Sequence, residues 1–354
     1  MFLFCVCQIG SEALLKREVA RRWPDWRLAF SRPGFVTFKT SLATRDAALA
    51  LDWHPIFARR FGVSLGPTPD DRLPAPQVRG VLRTLAQAVP GQPLRLHVFP
   101  AGAPHDACPC PHCMGVHDEI AARAADAGVV LLPEPEPRPG DLVADIAWAP
   151  AGAWWVGLHR HGDGASPWPG GNFPLMLHPQ APSRAWLKLE EAVRWSGLPL
   201  AAGDTALEVG CAPGGASLAL LQRGLDVIGV DPGQVDPVVT GYRHGYARFT
   251  WVPRRMQDLS RADVARPIQW LLFDVNAGAN VVVPYVERLL SWTRPECRGL
   301  LWTVKLNTEG GDERLPQLQA QLAATGLVDI RCAQLSTHHR ELLICGRMPP
   351  SRRY

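Results

Sequence analysis

Only four of the 37 basic residues in this 354-residue chain are lysine: Lys16, Lys39, Lys188 and Lys305. Arginine serves wherever a positive charge alone is needed. A retained lysine is therefore a candidate for a task that guanidinium cannot perform, because an ammonium group can give up its proton. Lys305 stands in WTVKL, between Val304 and Leu306, where the sequence reads as a central strand. A lysine there either snorkels to the sheet edge or has a partner that makes its burial tolerable. Lys188 stands in SRAWLKLEEA, on a predicted helix, and Glu341 opens an apolar strand after His338-His339-Arg340. Two lysines held close depress each other's pKa, and neighbouring carboxylates restore and orient them. That combination suits deprotonating or orienting a weakly acidic alcohol.

A second group of residues suits ligand binding. The strand TALEVG runs into Gly210-Cys211-Ala212-Pro213-Gly214-Gly215 and then a helix. Glycines at such a turn let backbone come close to a ligand or to a neighbouring segment. Pro213 and the Gly214-Gly215 pair depart from the dinucleotide G-x-G-x-x-G pattern, and no G-x-x-x-x-G-K-[ST] run is present, which argues against nicotinamide and P-loop chemistry. Asp231 ends the second strand of this region, sixteen residues past Gly215. A carboxylate there can accept both hydroxyls of a ribose. Asp258 follows the third strand and Asp274 ends the fourth. Any one of them alone reads as a cap or turn residue; three at successive strand ends point to a site. A separate insert, HDACPCPHCMGVH, offers Cys108, Cys110 and Cys113 with His105, His112 or His117. It lacks the paired C-x-x-C blocks of a zinc signature, so a structural zinc and a reduced surface loop both stay open. No catalytic metal is expected.

The elements that must position these residues fall into two regimes. From residue 183 onward, apolar strands (205–210, 226–231, 248–252, 268–274, 300–306, 328–335 and 341–347) alternate with helices near 184–195, 215–223, 280–291 and 312–325. Continuous apolar strands between amphipathic helices predict a doubly wound, mostly parallel α/β sheet with both faces covered. Ligands in such sheets lie at the carboxyl ends of the strands. Residues 1–66 read as a small α+β module, with a strand, a helix capped by Ser11, and further strands at 34–40 and 57–65. Gly66–Pro76 is rich in proline and aspartate and predicts a linker. Residues 67–180 form a second α+β stretch with a strand pair around Pro150-Ala151-Gly152.

Composition narrows the class. Apolar residues make up 47% and charged residues 20%, enough for a large core and unlike a disordered chain. No apolar run approaches the roughly eighteen residues a bilayer helix needs. The apolar start, MFLFCVCQIG, has no preceding positive charge and reads as a first strand, not a leader. Nine scattered cysteines do not form a disulfide framework, so a cytoplasmic protein without a membrane partner is expected. The net charge is only +4, so a nucleic-acid surface has to be sought locally. The stretch 237–257 contains no acid and interleaves Arg243, Arg248, Arg254 and Arg255 with Tyr242, Tyr246, Phe249 and Trp251. Arginines can reach phosphates there while aromatics stack on unpaired bases; the bland alternative is a strand with its apolar face inward. Arg59-Arg60 offers a second possible contact.

Lys188, Asp274, Lys305 and Glu341 together resemble the Lys-Asp-Lys-Glu tetrad of the FtsJ-like ribose 2′-O-methyltransferases, and CAPGG resembles their S-adenosyl-L-methionine loop. APSRAWLKLEEA, VDPG, TWV and VKL resemble, in the same order, segments of the bacterial 23S rRNA cytidine 2′-O-methyltransferases, which carry a THUMP region ahead of the catalytic domain. The G-S-E-x-L-x-x-E opening, IFARR and APAGAWWVGLH extend the likeness into the first half. The resemblance implies a Rossmann-like methyltransferase domain over 181–354, preceded by a ferredoxin-like module at 1–66 and a THUMP-like RNA-binding region at 67–180. It implies S-adenosyl-L-methionine as cofactor, held by Ser183, Gly210, Ala212, Pro213, Gly214, Gly215, Asp231, Asp258 and Asp274. It makes Lys305 the proton acceptor, assisted by Lys188, Asp274 and Glu341. It implies an RNA partner, 23S rRNA or a precursor of the large ribosomal subunit. A non-catalytic RNA-binding homologue that keeps the fold is the alternative. Departures are Ala216-Ser217 after PGG, where an aromatic residue is usual, and NTEGGDE after Lys305, where basic residues are usual.

Overall fold

The structure is a computed structural model that describes all residues except 69–73, 102–109, 135, 149–153, 163–164, 265, 307–310 and 350–354. The chain divides into two compact units, Met1–Pro174 and Leu175–Tyr354.

The first unit contains β1 (Phe2–Val6), α1 (Glu12–Arg22), β2 (Arg27–Arg32), β3 (Phe35–Lys39), α2 (Arg45–Leu49), β4 (Arg60–Pro67), α3 (Pro74–Ala88), β5 (Pro93–Pro100), α4 (Pro111–Ala124), β6 (Val130–Leu131), β7 (Leu142–Trp148) and β8 (Trp155–Arg160). They form one sheet in the order β2-β3-β1-β4-β8-β7-β5-β6. Its ladders are antiparallel except where β5 runs parallel to β7 and β6. The boundary expected near residue 66 falls where β4 pairs with β8, so one sheet continues through it. Val78, Val81, Leu82 and Leu85 of α3 and Ile120 of α4 pack with Leu94, Leu142, Ile146 and Val156 of the sheet. The turn at Pro150-Ala151-Gly152 and part of the expected linker lie outside the described residues.

Two local expectations are corrected here. β2 was missed because all but one of its residues are exposed, which removes the alternating pattern that marks a half-buried strand. Ser11 does precede α1, but its hydroxyl makes no capping bond. Glu12 does the local work, accepting from the Gly10 and Gly34 backbone N–H groups.

The second unit contains α5 (Ala185–Ser196), β9 (Thr205–Val209), α6 (Gly215–Gln222), β10 (Asp226–Val230), α7 (Pro237–Thr240), β11 (Phe249–Val252), β12 (Trp270–Phe273), α8 (Ala279–Thr293), β13 (Gly299–Lys305), α9 (Leu315–Ala324), β14 (Val328–Ala333) and β15 (Glu341–Arg347). The strand order is β11-β10-β9-β12-β13-β15-β14. β9 to β13 run parallel, whereas β15 is antiparallel to both β13 and β14. Every residue of β9 and β12 is buried, as a sheet covered on both faces requires. This is the Rossmann-like, mostly parallel fold expected. The order reverses between β9 and β12, and that switch point is where a ligand crevice opens at the carboxyl ends of the strands. Among the described residues, no helix is long and apolar enough to cross a membrane.

Candidate active site at the carboxyl edge of the second sheet

Four side chains meet at this edge. Lys305 is the last residue of β13, and the antiparallel ladder places it directly opposite Glu341, the first residue of β15. Asp274 follows the last residue of β12, and Lys188 projects from the first turn of α5. Lys305 Nζ donates to Asp274 Oδ1 at 2.5 Å and to Glu341 Oε2 at 2.6 Å. Lys188 Nζ lies 2.5 Å from Glu341 Oε1 and 3.6 Å from Asp274 Oδ2. Each lysine thus bridges both carboxylates, in a closed and formally neutral ring. The side chains keep 10–21% exposure, so the ring is sheltered but open to a substrate.

The electrostatics of the ring reverse one expectation. Burial would lower the Lys305 pKa, but the charges of Asp274 and Glu341 and the hydrogen bonds to them outweigh it, and the direction is up. Lys188 therefore does not keep the Lys305 amine unprotonated. At rest Lys305 is an ammonium ion. For Glu341 burial pushes upward, yet the cationic neighbours and the bonds from Lys188 and Lys305 bring it down to about 2. His338, buried beside them, is lowered to about 3 by its burial and stays neutral.

Beside the ring lies the glycine turn. Gly210 has φ +88°, and an added Cβ would stand 2.4 Å from the Asp274 carbonyl oxygen. A Cβ on Gly215 would stand 2.3 Å from Ser183 Oγ. These glycines let the chain pack against itself, and that packing brings Ser183 and Asp274 up to the turn. Gly214, at φ +114°, caps α6. The Asp231 carboxylate accepts from the backbone N–H of Ala212 at 3.1 Å and of Gly233 at 2.7 Å, one on each oxygen. A lone pair remains on each oxygen, so Asp231 is held as an oriented acceptor pair for a vicinal diol. Asp258 closes the short helix after β11 with its side chain exposed. An adenosine-bearing ligand fits this set: a diol acceptor at Asp231, a carboxylate at Asp258, and the bare Ala212–Gly215 turn between them and the ring. The structure brings together Ser183, Gly210, Asp231, Asp274 and the turn as expected; Asp258 stands at the next strand end.

Two carboxylates went unnoticed in the sequence. Glu208, inside the buried strand β9, accepts from Ser217 Oγ at 2.5 Å, and burial pushes its pKa up to about 8. Glu191 of α5 is 6% exposed and takes four hydrogen bonds from Ser336 and Thr337. An acid among Leu207 and Val209, and another one helical turn after Lys188, were the available signals.

Other expected contacts come out differently. Arg59 and Arg60 are 9% and 2% exposed and are not RNA contacts. Arg59 donates to Gln8, and Arg60 donates to His159 and to the Ser166 and Trp168 carbonyls. The four arginines of the acid-free stretch also separate. Arg243 and Arg248 precede β11, and Arg254 and Arg255 follow it, so only the second pair lies at the carboxyl edge. Of the cysteine insert, Cys108 and His105 lie outside the described residues. Cys110, Cys113 and His117 line a cavity of about 440 Å³ in the first unit. Among the described residues no group of three or more His, Cys, Asp or Glu is arranged to hold a metal.

Comparison with known proteins agrees with the geometry. Residues 181–266, in the second unit, match the FtsJ-like methyltransferase family. Three relatives share the name ribosomal RNA large subunit methyltransferase M. That of Azoarcus sp. strain BH72 is 29% identical over 218 residues, 58% of this chain and 56% of its own. That of Laribacter hongkongensis is 29% identical over 187 residues, half of each chain. That of Alkalilimnicola ehrlichii is 32% identical over 242 residues, 66% of this chain and 62% of its own. The chain thus spans between half and about three fifths of the length of these relatives. Among solved structures, the Methanococcus jannaschii fibrillarin pre-rRNA processing protein covers 59% of this chain and 84% of its own at 11% identity and TM-score 0.38, too loose a superposition to carry weight.

Proposed function

We propose that this chain is an S-adenosyl-L-methionine-dependent RNA ribose 2′-O-methyltransferase acting on 23S rRNA, with a cytidine as target. The observation that carries the reading is the ring of Lys188, Asp274, Lys305 and Glu341 beside the Ala212–Gly215 turn. The names of the relatives support the RNA substrate.

When bound, S-adenosyl-L-methionine supplies an electrophilic methyl group, whose bond to sulfur breaks as its bond to the ribose oxygen forms. Ser183, the Ala212–Gly215 backbone, Asp231, Asp258 and Asp274 are the residues that would hold it. The catalytic role falls to Lys305. Its tetrahedral nitrogen spends two N–H directions on Asp274 Oδ1 and Glu341 Oε2. The remaining direction carries a proton in the ammonium form and a lone pair in the amine form. After Lys305 loses that proton to solvent, the lone pair orients the ribose 2′-hydroxyl and takes its proton as the oxygen attacks. Asp274 and Glu341 fix the amine, and Lys188 compensates their charge so that the ring stays neutral with Lys305 protonated. Holding oxygen and methyl in attack geometry accounts for much of the remaining acceleration. In this reading the Met1–Pro174 unit, with its THUMP-like stretch, presents the RNA.

Mapping 2′-O-methylation on total RNA from a deletion strain, with and without the gene restored, tests the assignment. Loss of one 23S cytidine methyl, restored by the wild type and not by Lys305→Ala, is the expected result. An unchanged methylation map would remove it.

A further inference from the structure

Helix α5 carries more than Lys188. Lys188, Glu191 and Trp195 recur at spacings of three and four and so share one face of the helix. All three meet the segment that runs from β14 into β15. Lys188 reaches Glu341 at 2.5 Å, and Trp195 lies under the Arg331 guanidinium at 4.8 Å. Between them Glu191 closes on the connecting loop. Its Oε1 accepts from Ser336 N at 3.0 Å and Ser336 Oγ at 2.7 Å; its Oε2 accepts from Thr337 N at 2.8 Å and Thr337 Oγ1 at 2.7 Å. Four donors fill the four acceptor sites of one carboxylate. The loop is also tied within itself: Gln334 donates to the His339 carbonyl, and the Leu335 N–H to His338 Nδ1. A loop so fixed delivers Glu341 at a set height along α5.

This matters because Glu341 is held from two directions. The strand register fixes it against Lys305, which lies on the same sheet. Nothing in the sheet fixes it against Lys188, which lies on a helix. The bond between Lys188 and Glu341 therefore depends on how α5 is docked, and Glu191 makes a polar docking contact one helical turn away, with Arg184 on His339 and Arg331 on the Ser196 carbonyl at the two ends of the helix. We propose that Glu191, through Ser336 and Thr337, is a positioning residue that sets the reach of Lys188 to Glu341 and so keeps the catalytic ring closed. This role rests on the methyl-transfer reading of the ring. Glu191 hydrogen-bonds to Ser336 and Thr337, not to the ring itself; it acts through the loop and the helix.

The chain has only four lysines, which makes the proposal directly observable. The full-length protein labelled with [13Cε]lysine gives four signals, assignable by substitution. In Glu191→Gln, one acceptor site pair becomes an amide donor facing the Thr337 N–H and hydroxyl. The Lys188 signal should then move toward that of a solvated lysine, while Lys16 and Lys39 stay in place. Turnover on 23S rRNA should fall roughly 10- to 100-fold, as a misplacement near 1 Å does, with S-adenosyl-L-methionine affinity and RNA KM within about twofold. In a Lys188→Ala background the same substitution should cost much less, because the reach it sets no longer exists. Ser336→Ala/Thr337→Val keeps the carboxylate and should give the same pattern more weakly, which decides the matter if Glu191→Gln does not fold. An unmoved Lys188 signal would overturn the proposal. So would an equal loss of turnover with and without Lys188, which is the mark of a general structural role. If the wild type transfers no methyl to RNA, the functional reading fails, and the lysine signals still decide whether the clamp exists.

Discussion

Each unit of this protein gathers charged side chains around carboxylates, and the two gatherings do opposite things. In the first unit Arg60 of β4, Asp145 of β7 and His159 of β8 sit within strands of one sheet. Arg60 Nη1 meets His159 Nε2 at 2.8 Å, His159 Nδ1 meets Asp145 Oδ2 at 2.5 Å, and Arg60 Nη2 donates to the Ser166 and Trp168 carbonyls. Arg60 and Asp145 are 2% and 1% exposed. Burial brings the His159 pKa down to about 4, so the ring is neutral. Nothing outside the protein can reach this cluster. In the second unit the ring lies where strands end, 10–21% exposed, and its lysine has one direction left to offer. The buried cluster spends Arg60 on holding the Ser166 and Trp168 carbonyls to the sheet. The partly exposed ring leaves one N–H direction free. Burial, more than residue type, separates the two networks.

The contrast breaks most sharply at the two cations. Lys305→Arg keeps charge and approximate length but has no proton to yield at any working pH. Methyl transfer should drop about 10⁴-fold, ~5 kcal/mol of barrier, with S-adenosyl-L-methionine binding and the unfolding midpoint unchanged. Turnover within a few-fold of the wild type would remove Lys305 from the role of base. The wild type should also carry a pH signature. The folded-state pKa of Lys305 lies above the ordinary 10.5, and in the proposed reaction the active form is the amine. Log kcat should therefore climb with unit slope from neutral pH through the alkaline range, without a plateau below pH ~10. Lys188, Asp274, Glu341 and His338 surround it, but Glu341 and His338 titrate near 2 and 3 and do not bend the profile there. A plateau near neutrality would mean that another group takes the proton.

Arg60→Met tests the other half of the comparison. It leaves Asp145 buried without its guanidinium, and the Ser166 and Trp168 carbonyls without their donor. Breaking a buried pair from one side costs about 3–4 kcal/mol. The loss should appear in denaturant unfolding, while S-adenosyl-L-methionine affinity, a property of the second unit, stays within twofold. A change under 1 kcal/mol would show that the network contributes little; a lost cofactor site would show that the two roles are not separate.

Legibility in the sequence followed the same division. The second unit could be read because continuous apolar strands, glycine at the turn and rare lysines each reported a local requirement that the fold confirms. Asp231, Asp274, Lys305 and Glu341 fall at strand ends, where sequence order alone places them on one edge. The first unit was harder. β2 presents no buried face, so periodicity could not find it. Arg60 looked like a surface cation because its buried partners, the Asp145 carboxylate and the His159 ring, are 85 and 99 residues away. Glu191 was hidden for the same reason: its loop partners lie 145 and 146 residues along the chain. Partnership across the sequence cannot be read from spacing. The state of Lys305 was also misjudged, since the balance between burial and two carboxylates depends on distances that only the structure supplies.

A smaller effect sharpens the comparison within the second unit. Asp231→Ala removes the diol acceptor and frees the Ala212 and Gly233 N–H groups at the turn. S-adenosyl-L-methionine should bind roughly 10- to 30-fold more weakly, about 1.5–2 kcal/mol, with the unfolding midpoint nearly unchanged. Calorimetry measures it, and an unchanged dissociation constant would mean that the carboxylate serves only the turn.

The smallest effect concerns how RNA is held, and here the two ends of one strand discriminate between residues that composition treats alike. β11 is four residues long and separates two pairs of arginines by roughly 13 Å. Arg248 stands at its amino end, where the backbone N–H donates to Asp226; the Arg243 and Arg248 guanidinium groups donate to nearby carbonyls. Arg254 and Arg255 follow its carboxyl end, on the edge that holds the ring. Arg254 leans on Asp263 at 3.5 Å and Arg255 is exposed. RNA whose ribose reaches Lys305 must cross that edge, so Arg254→Ala/Arg255→Ala should weaken RNA binding severalfold. It should also flatten the log–log salt slope by about 0.7 to 0.9 per lost phosphate contact, up to about two units. Arg243→Ala/Arg248→Ala, the same change in net charge at the opposite end of one strand, should change slope and turnover little. Tyr246, 97% exposed between those arginines, serves as the internal control. If Tyr246→Ala and Arg243→Ala/Arg248→Ala weaken binding as much as the edge pair does, the RNA wraps the strand, and proximity to the ring no longer separates binding residues from ordinary surface.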